Sequence, residues 1–98
     1  MITVVAKSTF LPGTQEAVLA VYQKLVAQTR QEPGCRAYDL YQDVGNPETF
    51  TMIEAWDDRA ALDLHLASPA FLAQVAALRP FAASPAQIDL YRPAFGQA

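Results

Sequence analysis

Two β-rich runs joined by a tight turn constrain this chain more than any other feature. Residues 35–43, CRAYDLYQD, and residues 49–56, TFTMIEAW, flank the stretch VGNPE, in which Gly45, Asn46 and Pro47 are turn formers. So short a link makes the two runs a β-hairpin. Side chains alternate across a strand, so Ala37 and Tyr41 share one side of the first run, and Tyr38 and Leu40 the other. On the second run Phe50, Met52 and Trp56 share a side, with Ile53 and Ala55 opposite. Both faces carry large apolar groups, and an apolar sheet face has to be covered.

The remaining elements supply half of that cover. Residues 2–9, ITVVAKST, form a strand with Ile2, Val4 and Ala6 on one face and Thr3, Val5 and Lys7 on the other. Pro12-Gly13 ends it, and Thr14 can cap a helix over residues 14–31. Val18, Tyr22, Leu25 and Thr29 form the stripe of that helix, and Pro33-Gly34 stops it. Asp57 or Asp58 caps a second helix running to about Leu66, and Ser68-Pro69 starts a third, limited by Pro80. Residues 86–92, AQIDLYR, make a last strand, and residues 93–98 a loose tail. The order βαββααβ predicts an α+β, ferredoxin-like fold: an antiparallel sheet with helices on one face.

Composition bears on what covers the other face. Ninety-eight residues suit one domain spanning 1–98, and 52% hydrophobic residues is rich for a small monomer. The excess predicts a homodimer that buries the second sheet face. The net charge is −3 and the seven basic residues are scattered, which argues against nucleic-acid and membrane-surface partners. One cysteine and one histidine do not make a zinc site, and no metal is expected. The opening MITVVAKSTF lacks a basic segment before a long apolar run, and no uncharged apolar stretch reaches membrane-spanning length. The expected location is cytoplasmic.

The segments TRQEPGCRAYDLYQD, NPETFTMIEAWDD and ALDLHLASPAF resemble the antibiotic biosynthesis monooxygenase family, within it the small quinol monooxygenases. The PGC, NP..F, E.W and H..SP.F elements, in this order and spacing, carry the resemblance, which runs from VVAK at residues 4–7 to the last strand. It implies a dimeric α/β-barrel built from ferredoxin-like subunits, with a pocket between sheet and helices in each. It implies oxygenases that need no flavin, haem or metal, with O2 as co-substrate. A hydroquinone, anthrone or related polycyclic phenol supplies the electrons. Some relatives degrade haem through a histidine on the helix after the S..F element. Here that helix reads FLAQVAALR, without one.

His65 is the only side chain whose ordinary titration falls near neutrality, so it is the candidate base or proton shuttle; the alternative is a half-buried packing histidine. Trp56, Phe50 and Met52 form either core or an apolar wall for a flat ligand, with Phe71 as the facing wall. Glu54 shares their parity, and a carboxylate there needs a partner: Arg36 or Arg92, His65, or a substrate hydroxyl. Tyr38 or Tyr41 can hold a substrate oxygen. Lys7 faces either pocket or solvent. Asn46 is read as turn chemistry, and Cys35 has nothing beside it to make it a nucleophile.

The expected function is a cofactor-independent monooxygenase acting on a small quinol, polyphenol or polycyclic aromatic substrate. Two alternatives stand beside it. One is an isomerase of a phosphorylated signal molecule on the same scaffold, which requires a basic anchor such as Lys7 or Arg36 in the pocket. The other is a dimer that binds an aromatic metabolite without catalysis.

Overall fold

In the computed structural model residues 1–95 are described. The elements are β1 Ile2–Thr9, α1 Gln15–Thr29, β2 Cys35–Gln42, β3 Thr49–Trp56, α2 Arg59–Leu66, α3 Pro69–Leu78 and β4 Gln87–Tyr91, with a short 3-10 turn at Arg79–Phe81. The sheet order is β2-β3-β1-β4, antiparallel throughout. This is the expected α+β, ferredoxin-like arrangement. Of the expected C-terminal tail, residues 93–95 follow β4 without regular structure, and residues 96–98 lie outside the described residues.

Local chemistry accounts for the element ends. The hairpin turn is held by Asp43, whose carboxylate accepts from the backbone of Gly45 and Asn46, while the Asn46 side chain accepts from Glu48 N–H. Asn46 is thus a turn residue. Asp58 is the cap of α2, accepting from Ala61 N–H at 2.8 Å, while Asp57 pairs with Arg36. Ser68 caps α3 through Phe71 N–H, with Pro69 in the first turn. Thr14 stands before α1 but makes no side-chain cap: its backbone is not extended, and its hydroxyl donates to the Leu11 carbonyl at 2.7 Å.

The inner sheet face and the stripe of α1 form the core. Val18, Tyr22, Leu25 and Thr29 are all buried, as the periodicity predicts. Register then builds two rows across the inner face. Tyr38, Glu54, Val4 and Leu90 are successive neighbours in one; Leu40, Met52, Ala6 and Ile88 in the next. The outer face presents Tyr41, Ile53 and Tyr91, all at least 40% exposed, together with Val5 and Lys7. No single helix among the described residues is long and apolar enough to cross a membrane.

One glycine fixes how closely α2 approaches the sheet. Gly34 has φ +82°, and a Cβ there would lie 2.6 Å from the Cβ of Ala61 on α2. Its carbonyl also accepts from Asp57 N–H at 2.8 Å, locking the start of β2 to the start of α2. Gly13 has the same φ but nothing near its absent Cβ. Gly13→Ala therefore carries only the backbone cost, about 1 kcal/mol. Gly34→Ala adds overpacking of roughly 1–3 kcal/mol. Denaturant unfolding of the two variants is expected to show the larger loss for Gly34→Ala; equal losses would contradict the close α2 contact.

Candidate active site

Between the inner sheet face and helices α1, α2 and α3 lies a cavity of about 410 Å3, within the usual range for small-molecule sites. Its lining is almost wholly apolar. Val4 and Ala6 of β1, Met52 of β3, Leu25 of α1, Leu62 of α2 and Phe71 and Val75 of α3 contribute. The polar exceptions are few: Ser8, Tyr22, Tyr38, Glu54, Arg79 and Ser84. Exposure ranks them by depth. Tyr38 is 2% and Glu54 6% exposed, while Arg79, Ser84 and the β4 residues Ile88 and Leu90 are exposed at the mouth. The segment after α3 is stitched to the end of β1 by Leu11 N–H to Phe81 O and Ala83 N–H to Thr9 O, which fixes that rim.

Glu54 and Tyr38 are paired directly across β3 and β2, so the hairpin register sets the two polar groups side by side at the cavity floor. Glu54 Oε1 accepts from the Trp56 indole N–H at 3.0 Å. Arg36 pairs with Asp57 instead, and among the described residues no cation forms an ion pair with Glu54. Burial dominates, and it pushes the Glu54 carboxyl from its ordinary 4.5 up to about 7; the Trp56 hydrogen bond opposes the shift. At neutral pH the group can therefore both take and give a proton. Tyr38 is held well above the usual tyrosine range by burial and by the Glu54 charge, so it rests as the neutral hydroxyl.

His65 does not line this cavity. It is 1% exposed and packs against Trp56 and Phe71 in tilted contacts, with ring centroids at 4.8 and 4.7 Å. Its Nδ1 lies 3.0 Å from Glu32 Oε1 and its Nε2 3.5 Å from the Tyr38 hydroxyl. Burial lowers its pKa, and the Glu32 carboxylate opposes that. Both ring nitrogens face protein partners, so neither is free for an iron in this arrangement.

The other candidates divide similarly. Met52, Phe71, Tyr38 and Glu54 line the cavity. Trp56 and Phe50 share their sheet face but sit behind it, both fully buried: α2 covers Trp56, and Phe50 packs against Phe10 and Tyr22. Tyr41 is on the outer face, 54% exposed. Lys7 is exposed on that same outer face, opposite Thr51 and Gln87. Cys35 is held protonated by burial and the charge of Glu32, its thiol directed at the Ala37 carbonyl. Three polar residues escape the pattern reading. Tyr22 has a signal, since it belongs to the α1 stripe. Arg79 and Glu32 lie beyond helix ends, where no period assigns a face.

The raised Glu54 pKa has a consequence for stability. The folded protein keeps this proton up to about pH 7, whereas an unfolded chain releases it near 4.5. The contribution is therefore full below pH 4.5 and lost as pH rises through 7. It amounts to on the order of 3 kcal/mol at most. Unfolding free energies of wild type and Glu54→Gln across that window should diverge, the wild type losing stability relative to the variant as pH rises. Parallel curves would mean an ordinary Glu54.

The family model described as antibiotic biosynthesis monooxygenase matches residues 1–77. A crystal structure of an antibiotic biosynthesis monooxygenase superposes with TM-score 0.91 at 39% identity, covering 95% of this chain and 98% of that one. The probable quinol monooxygenase YgiN of Escherichia coli is 33% identical over 79 residues, covering 70% of this chain and 76% of YgiN. An uncharacterized protein of Synechocystis is 36% identical over 81 residues, covering 83% of this chain and 55% of that protein. The chain thus spans little more than half the length of the Synechocystis relative.

Proposed function

The chain belongs to the antibiotic biosynthesis monooxygenase family, and we propose that it is a cofactor-independent monooxygenase of a small quinol or polycyclic phenol, with Glu54 as the cavity base. The observation that carries this reading is a single carboxyl group at the floor of an apolar cavity, poised near neutral pH and hydrogen-bonded by the Trp56 N–H. General acid–base groups work best when their pKa lies near the operating pH. The naming of YgiN as a probable quinol monooxygenase supports the substrate class.

In this reading a flat aromatic ring lies against Met52 and Phe71, with its acidic oxygen toward Glu54 and Tyr38. Glu54 takes a proton and Tyr38 hydrogen-bonds the oxygen anion. The electron-rich anion reduces O2, and a carbon–oxygen bond forms as a peroxide. For a methylene substrate, one methylene group and one O2 become one carbonyl group and one water. The substrate supplies all four electrons; one oxygen atom enters the product and the other leaves as water. The low-dielectric cavity favours this route because it excludes bulk water from the peroxide. A second copy of the chain over the outer sheet face, and a cytoplasmic location, complete the proposal.

The isomerase alternative needs a basic anchor in the cavity. Lys7 is on the opposite sheet face and Arg36 is paired with Asp57. Arg79 does line the cavity, but at the exposed rim, while the deep end carries Glu54, whose charge repels a phosphate. A neutral phenol suits this polarity better.

Oxygen uptake by chelator-treated protein offered hydroquinones and anthrones is the direct test. Uptake above autoxidation is expected, rising with pH through about 7 as Glu54 ionises, and falling about 10²–10⁴-fold in Glu54→Gln. Saturable binding of these compounds without uptake would leave a binding module instead. Uptake unchanged in Glu54→Gln would remove Glu54 from the proton step.

A further inference from the structure

The oxygenation above moves two substrate protons to the oxygen atom that leaves as water, and Glu54 accounts for one at a time. A second polar line reaches the cavity. Tyr38 lines the cavity, His65 Nε2 lies 3.5 Å from its hydroxyl, and Glu32 Oε1 is 3.0 Å from Nδ1 on the far side of the ring. His65 is sealed from solvent, while Glu32 is half-buried at the turn between α1 and β2, its side chain 23% exposed. The hydrogen positions follow from the partners. A carboxylate only accepts, so Nδ1 carries the hydrogen and Nε2 presents a lone pair to the tyrosine. The Tyr38 contact is long for a hydrogen bond, as catalytic contacts often are before substrate tightens them.

Another buried group borders the same hydroxyl. Thr29, fully buried on α1, lies beside Tyr38, and its Oγ1 has no hydrogen-bond partner among the described residues. A buried hydroxyl without a partner costs free energy. Its place beside Tyr38 gives the phenol a second polar neighbour besides His65 when the proton moves. Trp56 and Phe71 both pack on the imidazole ring, with centroids 4.8 and 4.7 Å away, which restricts its rotation away from this line.

We propose that Tyr38, His65 and Glu32 form a second proton station, in which Tyr38 meets the substrate oxygen, His65 stores the proton and Glu32 is the positioning residue. This inference rests on the oxygenase reading of the same cavity. Glu54 takes the proton on the reacting carbon; as the substrate O–H proton passes to the Tyr38 oxygen, the Tyr38 proton passes to His65 Nε2. The imidazolium so formed is paired with the Glu32 carboxylate. The proton returns along the same line to the peroxide oxygen that departs as water, so the turnover neither gains nor loses protons. The arrangement has the logic of a carboxylate–imidazole–hydroxyl triad, with a tyrosine in place of the nucleophile and no covalent step.

Glu32→Gln keeps a side-chain acceptor for Nδ1–H and removes the charge that stabilises the imidazolium. It is expected to lower kcat at least about 10-fold with KM unchanged, and to raise the solvent deuterium isotope effect on kcat. A residue that merely braces the fold would not move that isotope effect. Wild-type kcat and isotope effect in Glu32→Gln would overturn the proposal. A readout independent of turnover separates its failure from failure of the oxygenase reading. In 15N NMR of histidine-labelled wild type, His65 is expected as the Nδ1–H tautomer, with its Nε2 resonance moving when 2-naphthol fills the cavity. An Nε2–H tautomer, or an Nε2 resonance indifferent to saturating naphthol, would overturn the station even if oxygen uptake were seen. The expected NMR result without uptake by any substrate would sustain the wiring and defeat the oxygenase.

Discussion

The indole N–H of Trp56 is, among the described residues, the one hydrogen-bond donor that holds the Glu54 side chain on a largely apolar sheet face. Most of what gives this cavity its chemistry follows from that pairing. An unpaired carboxylate in such a place would be expelled or permanently protonated. A carboxylate paired with arginine would be permanently charged. One neutral donor leaves it between these limits, near the pH at which proton transfer in both directions is fastest. Trp56 can play this part because it shares a strand face with Glu54 two residues away and is itself covered by α2. Its ring also forms one wall of the His65 slot, so a single side chain sets the positions of both titratable groups.

The backbone supports this arrangement from the other side. Gly34 lets α2 come close to the start of β2, which brings Glu32 within reach of His65. The hairpin register then sets Tyr38 beside Glu54 and in front of His65. Two carboxylates thus serve opposite faces of one small region: Glu54 toward the cavity, Glu32 toward the surface. Tyr38 stands between the two sets. Its resistance to ionisation, from burial and the nearby Glu54 charge, suits a hydroxyl that exchanges protons without holding a charge of its own.

Much of the fold was legible because strand parity and helix periodicity are local properties. The hairpin, the α1 stripe and the caps at Asp58 and Ser68 follow from residue types a few positions apart. Parity also places Tyr38, Met52, Glu54, Phe50 and Trp56 on the inner face. What it does not carry is depth. Trp56 and Phe50 have the parity of cavity walls, yet α2 and an aromatic cluster take the space in front of them, and that depends on how helices pack. For the same reason His65, at a core-facing position of α2, meets a tyrosine and a glutamate and not the cavity. Glu32 and Arg79 lie just past helix ends, where no repeating pattern assigns a direction. Only the long-range packing of those turns reveals what they touch.

The proposed proton transfer depends most on the state of Glu54, which can be read directly. Protein labelled with 13C at the glutamate side-chain carboxyl, titrated by NMR with Glu54→Gln to assign the resonance, would give its midpoint. The expected midpoint is near 7, moving upward when Trp56 is replaced by phenylalanine, since the indole donor favours the ionised form. A midpoint near the ordinary 4.5, unmoved by the tryptophan change, would rule Glu54 out as the base.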